Sequence, residues 1–363
     1  MSGGTDSSAA CLLLQQAGYE PVGLTLRVWD LERQFAPGTD EPDFLLAARR
    51  LAGRLGMEHV TADVRNDFRR EVVGDFVAAY MAGRTPNPCV ICNRRFKFRL
   101  LEEWADRLNC AYVATGHYVR TERQNDVTYL LMADDVQKDQ SYFLWQVPQR
   151  ILRRCLFPLG GMTKPQVRRY LEAQGFTPEA RQAESMEVCF VEHDYRDFLR
   201  SQVPGLENRV AGGSFVDTTG RRLGSHAGYP FYTVGQRKGL GIALGKPAYV
   251  LRVNAEKNTV VLGAEADTYT SVLLVEDLRT ADEAGFWLAA DSMSVRIRYR
   301  SAPVACRVER LPDDARLLVR TAEPVSAVAP GQSAVFYVGR RLVGGAVIAS
   351  QRGVGQYADA ALM

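Results

Sequence analysis

Long apolar runs are missing. Nothing in the 363 residues approaches the roughly 18 that a membrane-spanning helix needs. The start has no charged segment leading into an apolar one, so no secretory signal is read there. Both absences predict a soluble, cytoplasmic protein with no membrane partner. Charge of one sign is missing as well. Lys and Arg number 45 against 42 Asp and Glu, a net +3. That excludes a strongly acidic protein and leaves any nucleic-acid face to local basic clusters. The seven cysteines are an odd number and irregularly spaced, which argues against a secreted disulfide framework. No second CxxC and no Cys/His pair stands at zinc spacing, so a four-ligand structural zinc site lacks its donors. No metal ligands are therefore predicted from the protein itself. Long internal repeats and low-complexity linkers are absent too.

What is there is an ordinary globular composition, 46% apolar and 24% charged, in a chain long enough for two or three domains. One stretch organises it: Met1-Ser2-Gly3-Gly4-Thr5-Asp6-Ser7-Ser8. Two glycines allow the backbone to approach an anion closely. Ser7 and Ser8 open an apolar, helix-like run, and a helix N-terminus directs unpaired N–H groups at whatever the loop holds. Together these make a phosphate or pyrophosphate cradle. It is not a Walker loop, because Thr5 and Asp6 follow the second glycine where that loop needs Lys. A short, flexible Gly/Ser tail is the competing reading.

Downstream, helix-like and strand-like segments alternate. Helices are predicted over 7–17, 43–55, 67–81 and 96–108, and strands over 21–28, 59–63 and 111–115. Such alternation predicts an α/β fold, a parallel sheet with flanking helices. A phosphate loop of this kind normally follows a strand, so the expectation is that the first strand lies upstream of Met1. Further helices are predicted from Thr163 to about residue 175 and over 194–201. From about Val210 the character changes to short strands separated by turns, such as the one at 312–314. Strands are predicted over 249–253, 259–262, 293–299, 305–309, 334–337 and 342–348, giving a small β-rich central domain and a C-terminal β-barrel. The predicted boundaries are 1–205, 206–268 and 269–363.

Cys89 and Cys92 form a CxxC inside Thr85-Pro86-Asn87-Pro88-Cys89-Val90-Ile91-Cys92-Asn93. Zinc is short of ligands, and thioredoxin-like chemistry lacks the strand-to-helix setting. Two ordinary loop cysteines remain an alternative. Arg94, Arg95 and Lys97 follow closely, and nearby cations lower a thiol pKa, so a reactive thiolate is predicted. Cys189, alone, reads as a buried strand cysteine. Paired with a reactive cysteine it becomes a sulfur carrier, since a persulfide on one thiol is resolved by a second with a disulfide as by-product.

At this density of motifs the chain resembles the bacterial tRNA-specific 2-thiouridylases of the ATP-pyrophosphatase superfamily. The matching stretches are residues 2–8, 84–97, 114–118, 138–144, 157–160, 187–190, 232–241, 298–300 and 329–332. The resemblance implies an ATP-pyrophosphatase domain of the adenine nucleotide hydrolase-like kind, followed by a central β-rich tRNA-binding domain and a C-terminal barrel. It implies that Met1, Ser2, Gly3, Gly4, Thr5, Asp6 and Ser7 hold ATP, with Leu26 and Gly116 against its adenosine part. Cys189 matches the persulfide cysteine and Cys92 its catalytic partner. Asn87, Pro88 and Cys89 match the segment that touches the target base. His117, Lys138, Asp139, Gln140, Arg298, Tyr299 and Gln332 match residues that contact tRNA. Two positions depart from the pattern: Leu26 stands where methionine is common, and Cys89 where many relatives carry Asp as an acid/base. A thiol has a pKa near 8.5 against about 4 for Asp, so that proton-transfer role does not carry over to Cys89.

The implied reaction is ATP-dependent 2-thiolation of the wobble uridine of tRNA. Adenylation of O2 would make it a leaving group, with Mg²⁺ offsetting charge. A persulfide sulfur would then attack C2 of a base drawn out of the anticodon stack. ATP, Mg²⁺, tRNA and a sulfur donor (a cysteine desulfurase or sulfur-relay protein) are the cofactors and partners so implied. The stretch at 235–241 reads either as a plain basic turn or as a further RNA contact, and the flanking Tyr229, Phe231 and Tyr232 favour the contact. The rival readings are an amidotransferase-type or argininosuccinate-synthase-like ligase on the same fold, and a non-enzymatic RNA-binding protein that keeps a defunct nucleotide loop.

Overall fold

The computed structural model describes residues 1–31, 34–35, 38, 40–181, 188–312 and 314–357. Residues 182–187, which include the start of the Cys189 motif, and the middle of the turn predicted at 312–314 lie outside the described residues. The chain divides into two compact units. One is built from 1–72, 89–192 and 340–342, the other from 73–88, 193–339 and 343–363.

The first unit is the α/β region. Helix Thr5–Gln16 leads to strand β1 (Gly23–Arg27), helix Asp43–Arg54 to β2 (His59–Asp63), and helix Phe98–Arg107 to β3 (Val113–Ala114). A hairpin follows, β4 (Val119–Gln124) and β5 (Val127–Met132), then β6 (Cys155–Leu156) and helix Lys164–Ala173. β1 pairs in parallel with β2, with Gly23 opposite His59 and Arg27 opposite Asp63. β3 pairs in parallel with β6, with Val113 opposite Cys155. Among the described residues these are two separate two-stranded parallel sheets. The helices pack through Ala9, Leu12, Leu51, Val167 and Leu171, all buried, against Tyr118, Leu159 and Phe176. Arg341 and Leu342 add to the hairpin by pairing with Leu131 and Leu130.

Two predicted helices are broken. The one expected over 67–81 runs as Arg65–Phe68, a π turn at Arg69–Val73 and then Gly74–Met81. Val72, Val73 and Gly74 are weak helix formers, so the ladder yields there. The one expected over 96–108 starts only at Phe98. Before it come a single turn, Pro88–Ile91, and a six-residue π turn, Cys92–Lys97.

The second unit is almost entirely β. Strands β7 (Gly213–Val216), β8 (Arg222–His226), β9 (Tyr249–Asn254) and β10 (Thr259–Gly263) form a sheet in the order β8-β7-β10-β9. A closed six-stranded barrel follows, from β11 (Tyr269–Thr280), β12 (Met293–Arg296), β13 (Val304–Arg310), β14 (Leu317–Ser326), β15 (Ser333–Val338) and β16 (Arg341–Ile348). Its order is β11-β14-β13-β12-β15-β16, and β16 pairs back onto β11 to close it. Leu273, Val295, Val319, Ala334, Phe336 and Ala346 fill its interior.

The predicted α/β region, small β sheet and barrel are all present. The hairpin β4–β5 and strands β6, β7, β8, β11 and β14 were not predicted. β14 carries Pro324, which normally argues against an interior strand. It is accommodated where register slips: Thr270 faces Val325 while Val272 faces Arg320. Pro324 therefore sits in an irregular insertion rather than in the ladder.

Candidate active site

The loop at the start is built as an anion cradle. Gly3 has φ +69, and a Cβ there would lie 2.7 Å from the Ala47 backbone, so only glycine fits. Gly4 is the N-cap of helix Thr5–Gln16 and offers no side-chain acceptor. The first N–H groups of that 12-residue helix are therefore left facing the loop. Ser7 and Ser8 donate their hydroxyls back to the Gly4 carbonyl at 3.0 and 2.9 Å. Ser2 donates its N–H to Ser7 Oγ at 3.3 Å. Thr5 is buried, and its hydroxyl donates to the Glu179 carbonyl at 2.6 Å. Met1 runs alongside β1: it donates to the Leu24 carbonyl and accepts from Thr25 Oγ1.

A cavity of about 880 Å³ opens beside this loop, lined by Met1, Ser2, Asp6, Ser7, Leu26, Lys97, Gly116, His117 and Gln140 among others. That volume is in the range of small-molecule sites, about 300–1,000 Å³. It reaches between β1 and β3, over Leu14, Leu24, Leu101 and Val113. Gly116 lets the chain after β3 approach the helix start, since a Cβ would stand 3.0 Å from the Asp6 carbonyl. Asp6 is held from two sides. Lys164 Nζ lies 2.7 Å from its Oδ1, and the Tyr118 hydroxyl donates to the same oxygen at 2.8 Å.

The three motif cysteines come together in the same unit. Cys89 is in the turn Pro88–Ile91, Cys92 opens the π turn, and Cys189 sits just before Phe190. Phe190 is buried edge-on against Trp29 and Phe68, which places Cys189. Cys189 feels the charge of both Cys92 and Cys89, and all three feel Lys97. All are free thiols. The expectation of a low thiol pKa from the basic run is corrected here. Protein crowding around the sulfur dominates and raises Cys89 and Cys92, with only Lys97 of the three expected cations opposing it. Cys189 is pushed up to about 12 by the same crowding, then by the neighbouring Cys92 and Cys89. Arg94 instead turns to Gln146 Oε1 at 3.4 Å, and the Arg95 side chain is exposed.

The π turn explains how Lys97 reaches Cys92. In an α-helix of 3.6 residues per turn, a residue five positions on faces elsewhere. The i→i+5 pattern of a π turn puts the two on one face. The Lys97 backbone N–H also supports the Cys92 sulfur.

The residues matched to RNA fall in both units. In the first, His117 Nδ1 meets Thr115 Oγ1 at 2.7 Å and its ring stacks on Phe98. Burial, then Lys97, depresses its pKa well below 6.5. Asp139 is 2% exposed. Its carboxylate accepts from the Ala133 and Ser141 N–H groups and the Ser141 hydroxyl, so it shapes the loop from inside. Gln140 clasps Tyr118 through two bonds, 2.8 and 3.0 Å. Lys138 is half-buried. In the second unit, Gln332 donates to the Pro86 carbonyl at 2.6 Å, and Asn87 donates to Ser333 Oγ at 3.4 Å. Gly331 packs on Thr85 and Arg84. Arg298 is exposed and donates to the Ala327 carbonyl at 2.7 Å, with Tyr299 beside it in sequence. Pro88 begins the turn that carries Cys89.

Family models match three consecutive stretches. Residues 1–193 match the tRNA methyl transferase HUP domain. Residues 196–264 match the tRNA methyl transferase PRC-barrel domain, and 275–348 the aminomethyltransferase beta-barrel domain. A tRNA-specific 2-thiouridylase, MnmA 3, of Phocaeicola vulgatus is 56% identical over 355 residues, covering 98% of this chain and 94% of its own. The chain belongs to the MnmA family. Another MnmA 3, of Bacteroides fragilis, is 54% identical with the same coverage. The 2-thiouridylase MnmA of Amoebophilus asiaticus is 43% identical over 95% of this chain and 93% of its own. The HUP region of this MnmA-family chain is the first unit's loop, cavity and cysteines, and the PRC-barrel and beta-barrel stretches fall on the β-rich unit.

Lys97 and Lys164 lie at this site but were not among the predicted site residues. Lys97 was legible only as one member of a basic run. Lys164 follows the helix cap Thr163 and carries no motif of its own; the fold brings it to Asp6.

Proposed function

We propose that this protein is a tRNA-uridine 2-sulfurtransferase that adenylates O2 of the wobble uridine, position 34, and replaces it with persulfide sulfur. The observation that carries the reading is the company the cavity keeps: a glycine-built helix N-terminus on one side, and Lys97, which faces three thiols, on the other. Its relatives' names as tRNA-specific 2-thiouridylases support the substrate.

In this account Met1 to Ser7 hold the phosphates of ATP, and Leu26 and Gly116 border its adenosine part. Asp6 is the one carboxylate at the loop suited to Mg²⁺, which usually takes one or two carboxylates with substrate phosphates. Among the described residues no cluster of three metal-binding side chains exists, so the phosphates must supply the other ligands. Mg²⁺, when bound, offsets charge developing on the leaving pyrophosphate. The chain's own residues do the rest. Cys189 carries the terminal sulfur, which forms a bond to C2 as AMP leaves. Cys92 attacks Cys189 Sγ, releasing the 2-thiouridine and leaving a Cys92–Cys189 disulfide for an external thiol to reduce. Asn87, Pro88 and Cys89 border the target base, with Gln332 holding that loop. His117, Lys138, Gln140, Arg298 and Tyr299 meet tRNA, while Asp139 fixes the Lys138–Gln140 loop. The three-domain division at 205/206 and 268/269 and a sulfur-relay partner belong to the same proposal.

Cys→Ser variants test it. Unmodified tRNA, ATP, Mg²⁺ and a sulfur source are incubated with each, and 2-thiouridine is measured by mass spectrometry. Cys92→Ser and Cys189→Ser should give none, and Cys89→Ser a measurable amount. An active Cys92→Ser beside an inactive Cys89→Ser would reverse the assignment, and thiolation by neither the unaltered protein nor any of the three variants would remove it.

A further inference from the structure

One long stretch of the chain has no acidic residue. Between Asp217 and Glu256 there is neither Asp nor Glu, while Arg221, Arg222, Arg237, Lys238, Lys246 and Arg252 all fall inside it. In a chain close to charge balance, that gathers positive charge on the small β sheet and on the loop 235–248. The loop is built with its apolar side chains inward. Its ends are tied together: the Gly235 N–H donates to the Val250 carbonyl at 2.8 Å, and the Val250 N–H to the Gln236 carbonyl at 2.9 Å. Leu240 is buried. Ile242 lies over β8, so close that a Cβ on Gly224 would stand 2.8 Å from its Cδ1. Gln236 braces the turn from within, accepting from the Thr233 N–H and donating to the Lys238 carbonyl.

What faces outward is cationic. Arg237, Lys238 and Lys246 are exposed and line one cavity of about 400 Å³. Among the described residues no carboxylate pairs with any of the three. A cleft lined by one sign of charge focuses its field and draws counter-ions. Gly241 and Gly245 share the lining, with φ +73 and +70 and open space where a Cβ would point. Backbone conformation, not packing, calls for glycine there, and the main chain stays open to an approaching anion. The loop also adjoins Arg298: a Cβ on Gly235 would lie 3.3 Å from its Nη2. The flanking aromatics are core, against the expectation that they favour RNA contact. Tyr229, Phe231 and Tyr232 are buried. Tyr232 packs edge-on against Phe215, and the Tyr229 hydroxyl donates to the Met81 carbonyl. They leave no face for a base to stack on.

Given the tRNA substrate proposed above, we propose that the 235–248 loop is a binding site for RNA backbone phosphate, continuous with Arg298. Arg237, Lys238 and Lys246 hold phosphodiester oxygens, and the loop reads charge and spacing rather than base identity. Binding of unmodified tRNA to the full chain is measured by fluorescence anisotropy over a series of salt concentrations. The proteins compared are the unaltered chain, Arg237→Gln, Lys238→Gln and Lys246→Gln singly and together, and Arg298→Ala. Each loop substitution should lower the slope of log affinity against log salt by about one unit, and the three together by about two to three. Arg237→Lys, which keeps the charge, should keep the slope, and all should melt as the unaltered protein does. The loss should be the same for tRNAs of different sequence. A triple variant with the parent slope overturns the proposal, as does a loss confined to one tRNA sequence, which would make the loop a base reader. So does a triple variant that stops binding phosphatidylserine vesicles while its tRNA slope is unchanged, which would make the occupant a lipid surface. If Arg298→Ala loses its unit while the triple variant does not, the loop fails and the tRNA reading stands. Absence of tRNA binding by the unaltered protein removes both.

Discussion

A thiol surrounded by protein is a poor nucleophile at neutral pH unless a cation lies beside it. Lys97 is the cation that the structure gives to Cys92. Its removal disfavours the thiolate, so the Cys92 pKa rises further. In Lys97→Gln the rate of Cys92 alkylation by iodoacetamide, followed by peptide mass spectrometry, should rise with pH only at more alkaline values than in the unaltered protein. An unshifted profile would mean that Lys97 does not support this sulfur. The cysteines themselves were legible in the sequence, because a CxxC and a distant Cys matched a motif. The sign of their pKa shifts was not. A run of three cations reads as one field, yet Arg94 turns to Gln146, Arg95 faces solvent and only Lys97 counts. Asp139 and Gln332 show the same limit. Their motifs marked them as RNA contacts, while folding directs Asp139 to N–H groups of its own loop and the Gln332 amide to the carbonyl of Pro86, far away in sequence.

At the scale of elements, the glycine loop and its helix were readable because their chemistry is local. Gly3→Ala tests the reading. Its φ of +69 and the 2.7 Å approach to Ala47 combine a left-handed backbone penalty with a steric one, together at least about 2 kcal/mol. Urea unfolding should show that loss, and nucleotide binding should fall with it. A variant as stable as the parent would show that the loop relaxes. The π turn at Cys92–Lys97 was not readable, since its residues have helical character and periodicity does not reveal one extra residue per turn. It is nevertheless what aligns Cys92 with Lys97. Strand β14 escaped for a different reason: the barrel tolerates Pro324 through a register slip that only the paired strands reveal.

For the molecule as a whole, the order of α/β region, small β sheet and closed barrel follows from the change in composition near Val210. Its net charge of +3 says little about RNA, and the proposed contacts rest on placed cations such as Arg298. Binding of tRNA should weaken steeply with salt, and Arg298→Ala should reduce the slope of log affinity against log salt by about one unit. A slope that is flat in both proteins would exclude a phosphate-dominated RNA interface. The central claim, that the uridine oxygen is activated as an adenylate, has a direct test. A tRNA carrying ¹⁸O at O2 of the wobble uridine is thiolated with ATP and Mg²⁺, and the nucleotide products are weighed. The account predicts one ¹⁸O in AMP for each 2-thiouridine formed and none in pyrophosphate. Label in phosphate or pyrophosphate, or unlabelled AMP, would contradict it.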